Sequence, residues 1–448
     1  MRLISILGWK ISEGGEYRIM LPRLSEEEEG LISRVEGHFR EEARSADFSS
    51  REDVMSSMRT IVLRTAQAEG IFLDKDQANY IPEMCFLHIY GFAFLDKLLE
   101  DPSIEEISVI GINKPAYVYI RKDGWKSVNA QFTSIEALTD VINKMGRNIG
   151  RRITLQRPKL NAILPDGSRL HASLPPLSAG ELTIRRFTDN PFSPPELVES
   201  GAFPSRAIAL LSLLMQADMS LIISGNTASG KTTTMNSLFS FVPSDERIVI
   251  TEESPEINIP HPHTARLVAN EEMGVSLREL VYDTLRMRPD RLIVGEVRNA
   301  EEVGALFDAL LGGQARGCYA TFHAQSAEET LRRLRFFGVS EADFGSIDAI
   351  VVQRRMLRYD TKKRKNTEVR RMVEFCFGPG KNAVLSYDMG SDSWKEKAEK
   401  EFLSAISSSL GLGERETLQE LRERESFIRR KRAFQDFFTE YQGKFYGK

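Results

Sequence analysis

The chain has 448 residues, which at roughly 100–200 residues per domain predicts two or three domains and excludes a single small module. Its composition is 41% hydrophobic and 28% charged, as in globular proteins, and excludes wholesale disorder, collagen and coiled-coil structure. The 60 basic and 64 acidic residues give a net charge of −4, so the chain as a whole offers no attraction to nucleic acid or to anionic membranes. Any basic surface must be local.

Cysteine usage and hydropathy predict where the chain resides. Its three cysteines, Cys85, Cys318 and Cys376, form no CxxC pair, which argues against a disulfide framework or a cysteine-held zinc module and for a reducing compartment. No signal-peptide pattern opens the sequence, and the most apolar stretch, residues 208–224, is interrupted by a glutamine and an aspartate. We therefore expect a soluble chain that is neither exported nor membrane-spanning.

The first half of the sequence predicts an α+β arrangement. Residues 1–24 are typical of short strands, and a glutamate run at 26–29 begins helical spacing that continues with breaks to about Ala66. Further predicted elements are a helical stretch over 84–99, strands over 104–109 and 116–120 with Lys122-Asp123-Gly124 as a hairpin turn, a helix over 134–148 and several strands over 160–186. The proline-rich residues 189–204 are the best candidate for a linker between domains.

Beyond that segment, apolar strands alternate with helices, which is typical of parallel α/β architecture. The predicted core strands are Leu221–Ser224, Arg247–Thr251, Arg291–Val294 and Cys318–Thr321. Two more strands around a basic turn at 360–366, another strand pair and a charged helical tail complete the pattern. In full, we predict an N-terminal extension with helices (1–75), an α+β domain (76–190), a linker (191–204), a P-loop domain (205–392) and a helical tail (393–448).

One motif carries a specific chemistry. The sequence from Gly225 to Thr232 fits G-x-x-x-x-G-K-[ST], with an apolar strand before it and a helix-compatible segment after it. Such a loop directs backbone N–H groups at phosphate, its lysine bridges the β- and γ-phosphates, and its last hydroxyl is a ligand for Mg²⁺. We therefore predict a nucleotide-binding site, made of Gly225, Asn226, Thr227, Ala228, Ser229, Gly230, Lys231, Thr232 and Thr233.

Carboxylates follow two later strands. Glu252 and Glu253 end the strand at 248–251, and Glu296 follows the strand at 291–294. At the carboxyl edge of a parallel sheet, beside a phosphate loop, such acids are placed to hold Mg²⁺ through water and to orient an attacking water. His323 follows another apolar strand and is by itself uninformative, because a lone histidine is more often a surface or core residue.

These residues together resemble the ATPases of type II and type IV secretion and type IV pilus assembly. The phosphate loop, Glu252-Glu253-Ser254-Pro255-Glu256, Val294-Gly295-Glu296-Val297-Arg298 and Thr321-Phe322-His323-Ala324 follow in the order of that family's Walker A, Asp, Walker B and His boxes. Upstream segments at 98–108, 164–178 and 183–187 look like its preceding domain, so the resemblance covers about residues 84–376. The layout looks most like the archaeal branch that serves pili, secretion and the archaellum.

The resemblance implies a fold and a mechanism. It implies a RecA-like P-loop motor domain preceded by a PAS-like α+β domain, ATP and Mg²⁺ as ligands, a homo-hexameric ring, and a cytoplasmic location at the inner face of the membrane beside an integral platform protein. By motif position Glu252 positions the attacking water, Glu296 is the Walker B acid and His323 senses the γ-phosphate. The arginines that the preceding domain contributes to stabilise charge on the γ-phosphate would be Arg169 and Arg185, with Arg186 in reserve. Thr232, Glu253 and Glu296 would face Mg²⁺.

The sequence also departs from the family pattern. Glu253 stands where aspartate is usual, Gln314 replaces the first His-box histidine, and Ala228 replaces a loop glycine. Gln314 cannot carry charge, so we expect slow hydrolysis, or hydrolysis that requires a partner or lipid. One alternative is therefore a nucleotide-gated assembly factor with weakened catalysis.

A second alternative is a RecA-like nucleic-acid motor. Residues 354–371 contain nine basic and two acidic residues, yet Tyr359 is their only aromatic residue, and base stacking requires aromatics. We therefore expect this basic segment to face solvent or an acidic partner, and the charged tail to pack on its own or a neighbouring subunit.

Overall fold

The computed structural model describes residues 9–11, 15–19, 24–43, 48, 50–120, 123–147, 149–186, 191–270, 273–313, 315–360, 364–378, 380–397 and 399–448. The chain divides into two compact units, Met1–Phe187 and Thr188–Lys448. Of the predicted features, Lys122, Phe187, Gln314 and the Lys362-Lys363 pair lie outside the described residues.

The first unit begins with three helices that share a core. They are α1 (Glu26–Glu42), α2 (Arg51–Ala68) and α3 (Lys75–Tyr90). Each helix starts at a capping box, in which the side chain of Ser25, Ser50 or Asp74 accepts the N–H of the residue three positions later. Their apolar faces pack around buried residues such as Phe39, Met58 and Ile81. The predicted helix start at the glutamate run is confirmed.

The rest of the first unit is a sheet with two helices. Its strands are β1 (Trp9–Ile11), β2 (Glu16–Ile19), β3 (Ile104–Val109), β4 (Tyr117–Ile120), β5 (Gly124–Val128), β6 (Lys159–Ile163), β7 (Arg169–Ser173) and β8 (Glu181–Arg185), in the spatial order β1-β2-β5-β4-β3-β8-β7-β6. The helices are α4 (Leu95–Leu99) and α5 (Ile135–Arg147). The helical stretch predicted over 84–99 is in fact two helices, because α3 ends at Tyr90 and Gly91 is in an extended conformation.

The second unit has a sheet with a parallel core, as predicted. Its strands are β9 (Leu221–Gly225), β10 (Ile248–Glu252), β11 (Thr264–Val268), β12 (Arg291–Val297), β13 (Gly317–Phe322), β14 (Ala349–Asp360), β15 (Lys365–Phe377), β16 (Asn382–Asp388) and β17 (Ser393–Glu396). Their order is β11-β10-β12-β13-β9-β14-β15-β16-β17, with parallel pairing from β11 to β14 and antiparallel pairing beyond. The carboxyl ends of β9, β10, β12 and β13 therefore share one edge.

Helices cover both faces of this sheet. They are α6 (Pro194–Glu199), α7 (Ser205–Gln216), α8 (Lys231–Leu238), α9 (Leu277–Thr284), α10 (Ala300–Leu311), α11 (Ala327–Phe336), α12 (Glu399–Leu410), α13 (Glu414–Ile428) and α14 (Phe434–Tyr446). One core joins α7, α8 and the C-terminal helices to one face, and a second core joins α9, α10 and α11 to the other. The fold is thus α/β with a helical C-terminal region.

The structure differs from the prediction at both ends of this unit. Within the segment predicted as a linker, α6 forms because Ser193 caps it and two prolines occupy its first turn, where no N–H is required. Strand β17 occupies the first four residues of the predicted helical tail, Ser393–Glu396. The tail packs on its own subunit, since Phe402, Leu421 and Tyr441 belong to the core that contains α7 and β9.

No helix in the described part of the chain is both long enough and apolar enough to cross a bilayer. All three cysteines are free and buried, and burial raises the pKa of each thiol to about 12.

Candidate nucleotide-binding site

The predicted phosphate loop joins the end of β9 to the start of α8. Gly230 has φ +100° and Gly225 lies against β14, where an added Cβ would come within 2.3 Å of the Gln353 carbonyl oxygen. Both positions therefore require glycine. Ala228 holds φ +59° in the same loop, a left-handed conformation that glycine adopts without strain.

Lys231 and Thr232 open α8 and face the acidic edge of the sheet. The Lys231 side chain is 8% exposed, with Nζ 3.4 Å from the Gly225 carbonyl oxygen and 3.9 Å from Glu296 Oε1. Thr232 Oγ1 donates a hydrogen bond to Glu256 Oε2 at 2.9 Å. The hydroxyl of the loop is thus paired with the last glutamate of the 252–256 segment rather than with Glu253.

Glu252 is buried at the end of β10. Its Oε1 accepts the backbone N–H groups of Glu256 and Ile257 at 2.7 and 2.8 Å, which fixes the following turn. Its Oε2 lies 3.5 Å from Arg266 Nε but has no hydrogen-bond partner among the described residues. Burial raises the pKa of Glu252. A buried carboxylate oxygen with spare accepting capacity is suited to hold and deprotonate a water.

Glu296, at the end of β12, contacts both His323 and Arg298. His323 Nε2 lies 2.6 Å from Glu296 Oε1, and Arg298 Nε lies 2.8 Å from Glu296 Oε2. Arg298 also contacts Glu253, so the guanidinium holds both carboxylates. The structure therefore brings together Lys231, Glu296 and His323, whereas Glu253 is turned towards Arg298.

Charge and burial fix the protonation states at this edge. Burial alone would raise the pKa of Glu296, but the hydrogen bond and charge of Arg298, with smaller effects of His323 and Lys231, lower it. Burial and the charge of Lys231 lower the pKa of His323. At neutral pH the site thus contains a charged carboxylate beside a neutral imidazole that donates from Nε2.

The donor set fits Mg²⁺ better than a transition metal. Thr232, Glu256 and Glu296 offer oxygen atoms near the loop, and oxygen is the ligand that Mg²⁺ prefers. No cluster of three histidine, cysteine or acidic side chains able to hold a metal occurs among the described residues.

The predicted arginines lie in the first unit. Arg169 on β7 and Arg185 on β8 are directly opposite each other in the antiparallel ladder. Arg186 instead donates to the Asp101 carbonyl oxygen, which gives it a role within that unit. Arg169 and Arg185 therefore form an adjacent pair, and Arg186 is the weaker candidate.

Four arginines of the basic segment at 354–371 are paired within the protein. Glu368 lies 3.7 Å from Arg355 Nε and 3.1 Å from a terminal nitrogen of Arg370, and Asp392 contacts Arg358 and Arg371. These pairs occupy guanidinium groups that a phosphate backbone would need, which weakens the nucleic-acid alternative.

Three residues of the site are not predicted by the sequence. They are Glu256, which accepts from Thr232, Arg298, which contacts Glu253, and Gln353, whose carbonyl oxygen lies against Gly225. A hydroxyl and an acid 24 positions apart, or an arginine and an acid 45 apart, leave no periodic signal. The adjacency of Arg298 to Glu296 was the one available indication.

A glycine-rich loop between a parallel strand and a helix, with lysine, hydroxyl and carboxylates at one sheet edge, defines a P-loop nucleotide-binding protein. The family model described as "Type II/IV secretion system protein" matches residues 90–403, so the chain belongs to that family.

Individual relatives are similar over part of the chain. An uncharacterized protein of Methanocaldococcus jannaschii is 35% identical over 254 residues, which are 55% of this chain and 45% of that protein. This chain thus spans less than half of that relative. The type IV secretion system protein VirB11 of Bartonella quintana is 26% identical over 292 residues, 56% of this chain and 80% of that protein. The solved structure of the Legionella pneumophila ATPase DotB is 18% identical, with a TM-score of 0.46, over 78% of this chain and 91% of that one.

Proposed function

We propose that this protein is a Mg²⁺-dependent ATP hydrolase that powers secretion or assembly of a pilus-like or archaellum-like filament. The observation that carries the proposal is the convergence of Lys231, Glu296 and His323 at one sheet edge, beside a buried Glu252 whose Oε2 has no hydrogen-bond partner among the described residues. Membership of the type II/IV secretion family supports the cellular role.

In the proposed reaction, the loop amides and Lys231 bind the β- and γ-phosphates. Glu252 accepts a hydrogen bond from a water through Oε2, and the water oxygen attacks the γ-phosphorus in line. The bond from the γ-phosphorus to the bridging oxygen breaks, ADP departs with that oxygen, and the water proton passes to Glu252 and then to the released phosphate. His323 donates to Glu296 or to a γ-phosphate oxygen and so responds to the nucleotide state. Thr232, with Glu256 and Glu296 through water, would hold Mg²⁺, which would supply positive charge against the phosphates when bound.

The assembly is proposed from the same family membership. We infer a homo-hexamer in which Arg169 and Arg185 stabilise charge on the γ-phosphate, with the chain peripheral at the inner face of the membrane through an integral platform protein. Nucleotide binding and product release would alternate around the ring and so drive the stroke. We also propose the domain division that the sequence predicts, with the P-loop domain over 205–392 and the tail after it.

The test is the Mg²⁺-ATPase rate per subunit measured against protein concentration, with Lys231→Ala as the blank. We expect a rate that rises with concentration, disappears in the blank and falls by about 10²–10⁴ in Glu252→Gln, which keeps ATP binding. Glu301→Gln, at an exposed position on α10, is the matched control and should be unchanged. Tight ATP binding with turnover no higher than the blank, even with lipid added, would replace the motor by a nucleotide-gated assembly factor.

A further inference from the structure

The β14–β15 hairpin extends past the edge of the sheet beside the phosphate loop. Strand β14 pairs with β9 only over residues 349–353, whereas its ladder with β15 continues to Asp360. The stretch from Arg354 to Asp360 and its partner strand therefore form a two-stranded wall next to the loop that follows β9.

This wall is bonded to the phosphate loop itself. The Asn226 side-chain amide accepts the N–H of Arg355 at 2.9 Å and donates to the Arg355 carbonyl oxygen at 3.0 Å. Arg370, opposite Arg355 in the ladder, donates from Nε to the Ala228 carbonyl oxygen at 2.9 Å. Since Arg370 reaches the loop, the hairpin face that carries Arg355 and Arg370 is the one turned towards the loop.

The same face presents two large apolar side chains to solvent. Leu357 and Tyr359 follow Arg355 at intervals of two residues, so they share its face, about 7 and 13 Å further along the strand. Their exposed fractions are 66% and 57%. Within the described part of the chain, no hydrogen bond or ring contact engages the Tyr359 side chain. Glu368, opposite Leu357, supplies a carboxylate at the rim. Apolar surface with a few fixed polar groups is typical of a ligand site.

The strand order fixes which end of a nucleotide would meet this face. In the proposed function the γ-phosphate lies towards Glu296 on β12 and His323, which follows β13. These strands lie on one side of β9, and the hairpin lies on the other. A nucleotide bound along the loop thus directs its nucleoside end towards the hairpin.

We propose that Leu357 and Tyr359 form a platform for the base of the bound nucleotide. The base would stack on the Tyr359 ring and cover Leu357, as bases stack on aromatic side chains elsewhere, while Glu368 accepts from a ribose hydroxyl. This inference rests on the proposed function. It assigns to Leu357 and Tyr359 the preference of the site for a nucleoside triphosphate over the bare phosphate chain. It also gives the only aromatic residue of the 354–371 segment a role that does not involve nucleic acid.

The test compares two probes, ATP and inorganic triphosphate, by calorimetry on the full chain with Mg²⁺. In Leu357→Ala/Tyr359→Ala we expect ATP to bind at least about tenfold more weakly, while triphosphate binding is unchanged because the loop is intact. Tyr359→Phe should retain ATP affinity since the ring remains. Phe336→Ala, which removes a ring that is 85% exposed on α11, is the matched control and should alter neither affinity.

Three outcomes would overturn the inference. The first is equal ATP affinity in the double variant and the wild type, which leaves the proposed ATPase standing. The second is a parallel loss of both probes, which would mean a damaged loop rather than a lost base contact. The third is loss of binding to vesicles containing anionic lipid with ATP affinity kept, which would make the hairpin a membrane contact. Failure of the wild type to bind either probe would instead refute the proposed function together with this inference.

Discussion

Glu296 and His323 are joined by a 2.6 Å contact between Oε1 and Nε2, across the ends of two neighbouring parallel strands. Lys231 lies 3.9 Å from the same carboxylate oxygen. Lys231 of the phosphate loop, Glu296 and His323 are thus connected through one carboxylate. An incoming γ-phosphate would compete with Glu296 for the same two donors, which is how nucleotide binding could alter the end of β13.

The first prediction concerns the charge of His323. Because burial and Lys231 lower its pKa, the imidazole gains its proton only below the ordinary value of about 6.5. We expect turnover to be level from pH 7 to 8 and to fall as the pH drops through that lowered pKa, where an imidazolium would bind Glu296 too tightly. His323→Gln keeps a hydrogen-bond donor at this position but has no group that titrates. The turnover of this variant should therefore no longer fall at acid pH. His323→Ala should lower kcat about tenfold or more at pH 7.5. An unchanged acid limb in His323→Gln would assign the titration to another group.

The second prediction concerns the loop residue that departs from the family pattern. Ala228 has φ +59°, a conformation that costs a non-glycine residue about 1–2 kcal/mol. Ala228→Gly removes that strain but makes the unfolded chain more flexible, so we expect a net gain of about 0.5–1 kcal/mol in unfolding free energy. Ala405→Gly, inside α12 of the same unit, should lose about 1 kcal/mol instead. Chemical denaturation of the two variants checks the opposite signs, and equal losses would show that Ala228 is unstrained.

Local patterns predicted the phosphate loop and the core strands because their signals lie within a few residues. The strand at 221–225, the glycines and the helix from Lys231 are contiguous, and each apolar core strand is one uninterrupted run. The partners of Thr232 and Glu253 could not be predicted, since Glu256 and Arg298 reach them only through the folding of separate strands. The helix at 194–199 stands where the prolines predict a linker, because the first turn of a helix tolerates proline.

The third prediction uses a histidine outside the site. His261 is buried between Phe239 and Phe438, with Nε2 3.2 Å from the Val242 carbonyl oxygen, and burial lowers its pKa to about 4. The His261 imidazole is therefore protonated at a higher pH in the unfolded chain than in the folded one. The contribution of the neutral His261 to the free energy of unfolding is thus fully present above about pH 6.5 and falls as the pH drops towards 4. The loss should reach about 3 kcal/mol.

Unfolding free energies measured from pH 7 to pH 4.5 check this effect. His261→Gln should flatten the acid loss relative to the wild type, and His263→Gln, two residues away at an exposed position, should not. If the wild type and His261→Gln lose stability in parallel, the acid sensitivity belongs to other groups.

The last prediction concerns the tail, which sequence reasoning could place only on its own or a neighbouring subunit. Arg424 on α13 is 1% exposed, and its guanidinium donates to the Tyr441 hydroxyl at 2.6 Å and to the Ser212 carbonyl oxygen on α7 at 3.3 Å, while Phe445 lies under its charge. Arg424→Ala removes these charge-assisted hydrogen bonds and leaves a cavity where the buried guanidinium lay, so we expect a loss of about 3 kcal/mol in the unfolding free energy of the second unit. Arg422→Ala, on the exposed face of the same helix, should change stability by less than about 0.5 kcal/mol.

Because α7 packs in the same core as the phosphate-loop strand β9, Arg424→Ala should also lower the temperature at which ATPase activity is lost. Equal melting temperatures for the two variants would mean that the tail is an appendage and not a part of the motor core.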